Sequence, residues 1–88
     1  MAYRVELKPS AARALKRVPR RDRRRIARRI DALAQNPRPK AARKLSGAEA
    51  IYRVRAGDYR ILYQIQDDVL LVLVVRIGHR REVYRGLS

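Results

Sequence analysis

The chain contains no cysteine and a single histidine, His79. The first absence excludes a disulfide framework, a thiol nucleophile and any cysteine-based zinc site. One histidine is too few for a multi-histidine metal site, so neither a metal nor a cofactor is expected. Long apolar runs are missing as well. The longest, Val69–Val75, falls far short of the roughly 20 residues that span a bilayer. The opening segment MAYRVELKPS lacks the basic-then-apolar order of a secretory signal. No membrane role is expected, and the expected location is the cytoplasm.

Acidic residues are scarce. Eight Asp and Glu face 23 Lys and Arg, a formal net charge of +15, and arginine outnumbers lysine 19 to 4. Yet 47% of the residues are hydrophobic, too many for a disordered basic tail. Residues 1–88 therefore read as a single small folded domain, with room for one modest core. Its positive surface repels itself unless a polyanion or an acidic protein neutralises it. Arginine favours the planar, bidentate contacts that phosphates accept. Nucleic acid is thus the first partner to consider.

Periodicity sets the order of elements. Tyr3, Val5 and Leu7 alternate with Arg4 and Glu6, as in a half-buried strand. Pro9 then interrupts, and Ser10 is expected to cap a short helix carrying Ala11, Leu15 and Val18 on one face. Pro19 ends that helix. A second helix is expected over 21–34, with Ile26, Ile30, Leu33, Ala27 and Ala34 as its apolar stripe. Its other faces carry Arg20, Arg21, Arg23, Arg24, Arg25, Arg28 and Arg29, at once a solvated face and a surface for phosphates. Asn36-Pro37-Arg38-Pro39 stops it.

Residues 40–49 read as a basic loop with a turn at Ser46-Gly47. Three strands follow, over 50–55, 59–66 and 69–80, joined by Ala56-Gly57-Asp58 and Asp67-Asp68. The third is apolar on both faces and should lie inside the sheet. The expected fold class is α+β, in the order β-α-α-β-β-β: an antiparallel meander with an N-terminal helical hairpin on one face.

Alternation along the strands then sorts the arginines. With Ile61, Tyr63 and Ile65 beneath the helices, Arg60, Leu62, Gln64 and Gln66 point to the other face. Arg53 and Arg55 share that outer face, because burying two unpaired guanidiniums would cost too much. Arg76 is placed outward too, with Val75 and Ile77 inward. Arg80 follows Arg76 unless a bulge at Gly78 reverses the alternation. Tyr84 can fold back beside Arg80. Cations, hydrogen-bond donors and a phenol suit an RNA phosphate.

Two long strings then stand out: Gly57-Asp58-Tyr59-Arg60-Ile61-Leu62-Tyr63-Gln64-Ile65 and, after Val72–Val75, Arg76-Ile77-Gly78-His79-Arg80-Arg81-Glu82-Val83-Tyr84-Arg85. Together they closely resemble the RelE branch of the RelE/ParE toxin superfamily, and the inferred element order agrees along essentially the whole chain. The resemblance implies a RelE-like toxin of a toxin–antitoxin pair, a ribosome-dependent endoribonuclease that cuts mRNA without a metal. It implies as partners the ribosome with its rRNA, mRNA, and a cognate RelB-like antitoxin that blocks the toxin with an acidic or amphipathic segment.

Position by position, it assigns catalysis to Arg60, Arg80 and Tyr84, and RNA contact to Arg53, Arg55, Arg76 and Arg81. Arg53 and Arg55 stand where many members have lysines, a departure that matters because arginine does not donate a proton.

The implied chemistry is attack of a ribose 2′-hydroxyl on the adjacent phosphate. Arg60 would stabilise the phosphorane, Tyr84 would be the base, and Arg80 would steady the leaving oxygen. A free phenol holds its proton until about pH 10, so such a base needs positive neighbours, here Arg80 and Arg81. His79 falls on the opposite face, in a packing role. The structural alternatives are an ion pair from Arg60 to Asp58 or Glu82, and Tyr84 as a pin for the C-terminus. Two other functions share the fold: a ParE-like inhibitor of DNA gyrase and a non-catalytic RNA-binding module.

Overall fold

A computed structural model describes residues 2–45 and 50–84. Strand β1 (Arg4–Leu7) is followed at once by helix α1 (Pro9–Arg17), whose first turn contains Pro9. Proline suits that position because its missing N–H is not needed there. Ser10 accordingly lies inside the helix. The N-cap position falls to Lys8, with no side-chain cap bond, so the expected Ser10 cap is replaced. Val18 leaves the helix in an extended conformation, as the residue before Pro19 must.

Helix α2 (Arg20–Gln35) buries Ile26, Ile30 and Leu33. Ala27, assigned above to its apolar stripe, is exposed. Beyond α2 the side chain of Asn36 accepts from the Arg38 amide at 3.1 Å, turning the chain. A two-residue strand, β2 (Arg43–Lys44), then forms inside the segment read as a loop. It is too short to leave a periodic signal and exists through pairing with its neighbour. The Ser46-Gly47 turn lies outside the described residues.

β3 (Ile51–Ala56) and β4 (Tyr59–Gln66) form a hairpin whose turn needs Gly57 at φ 62°. A 3-10 turn, Asp67–Val69, and a left-handed Leu70 lead into β5 (Leu71–His79). The last strand thus starts two residues later than expected.

The sheet order is β1-β5-β4-β3-β2. β5 lies inside, as its two apolar faces require. The sheet is mixed: β3, β4 and β5 form the antiparallel meander, while β1 runs parallel to β5. A parallel neighbour needs a crossover, which the helical hairpin provides. The fold is α+β, with α1 and α2 covering one sheet face. The core joins Ala11, Val18, Ile26, Ile30 and Leu33 to Val54, Ile61, Tyr63, Val72, Val74 and Ile77.

One irregularity decides the sheet's polarity. Tyr63 pairs with Val74 but Leu62 with Arg76, so Val75 is an extra residue on β5. Val72 and Val74 therefore face the helices before the bulge and Ile77 faces them after it. Val75 packs in a separate cluster on the other face, contrary to its expected inward position. Arg76 points outward as expected because the bulge sits immediately before it.

A polar knot ties the loops together. Arg38 pairs with Asp67 at 2.8 Å, and the Tyr3 hydroxyl donates to the same carboxylate at 2.6 Å. The Arg38 and Tyr3 hydrogen bonds pull the Asp67 pKa down to about 2. The Tyr63 hydroxyl donates to the Pro37 carbonyl at 2.7 Å, and burial pushes that phenol up to about 12. Among the described residues, no helix is long and apolar enough to cross a membrane.

Candidate active site

The sheet face away from the helices carries transverse rows of side chains, two of which hold arginines of the candidate site. Cross-strand partners share a face, so register places Arg43, Arg53, Leu62 and Arg76 in one row. Arg55, Arg60 and Gly78 make the next. Arg55 and Arg60 are direct cross-strand partners, and like charges so placed repel. An anion bound between them would relieve that repulsion. Arg43 was missed in the sequence because nothing there marks residues 43–44 as a strand.

This face is not bare. After β5 the chain turns back, with the Glu82 and Val83 amides both donating to the His79 carbonyl, at 2.9 and 3.0 Å. Val83 is 3% exposed and packs with Ile51 and Leu62. Gly78 makes the return possible: a Cβ there would sit 3.3 Å from the Val83 Cβ and 3.4 Å from its Cα. Its role is therefore close approach of the tail. The sheet's bulge lies at Val75, ahead of the Gly78 position that the sequence offered for one.

Two arginines hold this tail. Arg76 donates from Nη1 to the Val83 carbonyl at 3.1 Å. Arg53 donates from Nη1 to the Tyr84 hydroxyl at 3.4 Å, while its Nε is buried without a partner among the described residues. A buried N–H left unpaired costs about 1–3 kcal/mol. The guanidinium against the phenol is thus that of Arg53, where Arg80 and Arg81 were expected. Tyr84 is half-buried and lies on the open face.

The other positions separate along the hairpin. Arg60 donates from Nη1 to the carbonyls of Gly57 and Tyr59, at 3.0 and 3.1 Å, bracing the β3–β4 turn. Its guanidinium forms no ion pair with Asp58 or Glu82. Arg80 is exposed, and its backbone amide donates to the Asp58 carbonyl at 2.8 Å, which places it at the hairpin end. Arg81 is exposed in the turn that follows. His79 pairs with Tyr59 on the helix side, their rings edge to face at 5.9 Å. Among the described residues, no cluster of His, Asp or Glu could hold a metal ion.

The molecule is therefore a small basic α+β protein whose open sheet face carries several arginines, one of which, Arg53, holds the Tyr84 phenol. Residues 5–84 match the family of ParE toxins of type II toxin–antitoxin systems, parDE. The chain belongs to that family, within the RelE/ParE superfamily and on its RelE-like side, and is a toxin of a type II toxin–antitoxin system.

It is 28% identical over 89 residues to a protein of Methanocaldococcus jannaschii that carries the name toxin RelE1, covering 98% of this chain and 99% of the relative. It resembles a chain in the crystal structure of the RelE–RelB complex of Pyrococcus horikoshii, with a TM-score of 0.80 and 28% identity over the whole of both chains. A chain of the RelBE2 toxin–antitoxin complex of Mycobacterium tuberculosis matches with a TM-score of 0.80 and 28% identity, covering 91% of this chain and all of that one.

Proposed function

We propose that residues 1–88 form one toxin domain that cuts mRNA on the ribosome, in the prokaryotic cytoplasm. The observation carrying this reading is the Tyr84 hydroxyl, held by Arg53 at 3.4 Å on the face where Arg55 and Arg60 stand as cross-strand partners. A scissile phosphate on this face meets several fixed cations, and a 2′-hydroxyl beside it meets a phenol. Tyr84 serves as the base for that hydroxyl. As Tyr84 takes that proton, the ribose 2′-oxygen attacks phosphorus, the bond to the 5′-oxygen of the next nucleotide breaks, and that oxygen takes a proton from solvent water, giving a 2′,3′-cyclic phosphate and a 5′-hydroxyl. Arg60 stabilises the phosphorane, and Arg80 steadies the leaving oxygen.

Arg53 orients the phenol; as an arginine it supplies charge and not a proton. Arg55 and Arg81 contact flanking phosphates. Arg76 contributes field and holds the tail. The guanidiniums provide the positive charge this reaction needs, so no metal enters any step. A cognate antitoxin of RelB type blocks the site, as an acidic or amphipathic segment fits a face so rich in arginine. The solved relatives in complex with RelB support this pairing.

The test is primer extension on mRNA in a reconstituted translation reaction. Arg60→Ala should slow cleavage by about 10²–10³, the usual effect of removing one donor to a developing oxyanion. Tyr84→Phe should abolish it with the fold intact. Full cleavage by both variants would remove this site. The matched family carries the ParE name, so a gyrase supercoiling assay runs in parallel, and inhibition there without mRNA cleavage would overturn the nuclease reading.

A further inference from the structure

The β3–β4 turn is gripped from two sides. On the open face Arg60 bonds the Gly57 carbonyl. From the helix side Arg25 presses on the same residue, its Nη1 only 2.8 Å from where a Gly57 Cβ would stand. Beside that contact lies a cleft of about 480 Å³, lined by Arg25, Arg28, Arg29, Ala32, Ala56 and Gly57. The four helical residues are spaced i, i+3, i+4 and i+7, so they form one stripe along α2. This stripe is distinct from the buried one of Ile26, Ile30 and Leu33.

The charge of the cleft is one-sided. Three arginines line it, and among the described residues none of them forms an ion pair. The two acids of α2, Asp22 and Asp31, are not among its lining residues. Its remaining walls are two alanines and a glycine, small enough to leave room for a bulky anion. A second cleft of about 400 Å³, lined by Arg20, Arg21 and Arg24, lies further along the same helix.

We infer that the Arg25–Arg28–Arg29 cleft is a second nucleic-acid contact, which seats a backbone phosphate of base-paired RNA on the opposite side of the hairpin from the cleavage face. Charge complementarity identifies the ligand class. Forked guanidiniums on a rigid helix match phosphate oxygens in pairs. The side chains lining the cleft offer donors and no acceptors, so it suits a ligand that offers acceptors. That the phosphate belongs to RNA rests on the reading of the protein as a ribosome-directed toxin. The phosphate chemistry does not depend on whether the sheet face cuts.

The experiment measures binding of the intact protein to a fluorescent RNA hairpin by anisotropy across a salt series. It contains no ribosome and reads no cleavage, so failure of the nuclease reading would not imitate failure here. Neutralising Arg28 and Arg29 together (Arg28→Gln with Arg29→Gln) should lower the log–log salt slope by about 0.9, the change for one lost duplex phosphate contact. The lysine pair at the same positions should keep the slope. Arg13→Gln with Arg17→Gln removes equal charge from exposed positions on α1 and should change the slope little.

Equal slope changes from the two glutamine pairs would reduce the effect to net charge and overturn the site. So would an unchanged slope in the Arg28/Arg29 pair, or a loss of polyglutamate binding in that pair with RNA binding intact, which would make the cleft an acidic-protein contact. Thermal melts alongside should superimpose, since every substituted side chain is exposed.

Discussion

Truncating Val83 tests whether the C-terminal tail is a docked element whose position depends on one side chain. Val83→Ala removes two methyl groups that are almost fully buried against Ile51 and Leu62. At about 0.8 kcal/mol per buried carbon, the loss is about 1.6 kcal/mol, or roughly 15-fold in the docking equilibrium. Among the described residues, other tethers include the hydrogen bonds from the Glu82 and Val83 amides to the His79 carbonyl, from Arg76 to the Val83 carbonyl and, longer, from Arg53 to Tyr84.

Each such bond contributes only about 0.5–1.5 kcal/mol net, while ordering each residue of the turn costs about 1–2 kcal/mol. The apolar contact therefore decides whether the tail stays down. Hydrogen exchange should show the Glu82 and Val83 amides opening roughly 15-fold more often, with Ile61 and Val74 protected as before. Cleavage by the variant should fall in parallel, because Tyr84 leaves the sheet with the tail. Unchanged protection at Glu82 and Val83 would refute the docked-tail account. So would equal losses across β4 and β5, which would make Val83 part of the global core.

Two predictions concern pH. Asp67 has a pKa below that of an unfolded carboxylate, so it contributes stability above the unfolded value and loses it as pH falls from about 4 through 2. Asp67→Asn should flatten urea midpoints over that window, and an equally steep acid limb would remove Arg38 and Tyr3 as the cause. Tyr63 is raised by burial, so its contribution is complete below about pH 10 and is lost as pH rises through about 12. Tyr63→Phe should cost about 1 kcal/mol at neutral pH by leaving the Pro37 carbonyl without its donor, and should show a shallower alkaline loss; an unchanged alkaline limb would contradict the assignment.

Much of the candidate site was legible in the chain because strand alternation is a local property. Arg53, Arg55 and Arg60 face away from the helices for the reason their spacing from Tyr52, Val54 and Ile61 suggests: the apolar set must be buried. Arg76 reached the expected face by a different route. Simple alternation would have placed it with Val72 and Val74, and the extra residue Val75 shifts it outward. A bulge of this kind arises from pairing with β4, which no single strand encodes by itself. Arg43 was hidden for the same reason, since two residues become a strand only when β3 offers them a ladder.

The amino-acid sequence by itself determined the order of the longer elements, which face of most strands is covered, the positive surface and the family. These follow from side-chain period, proline and glycine chemistry, charge count and two long motifs, all of them local or additive. Only the tertiary structure decided that β1 runs parallel beside β5, that Tyr84 rests on Arg53, and that α2 and the β3–β4 turn enclose an arginine-lined cleft. Each is a meeting of residues far apart along the chain, set by how the helical hairpin and the returning tail pack on the sheet.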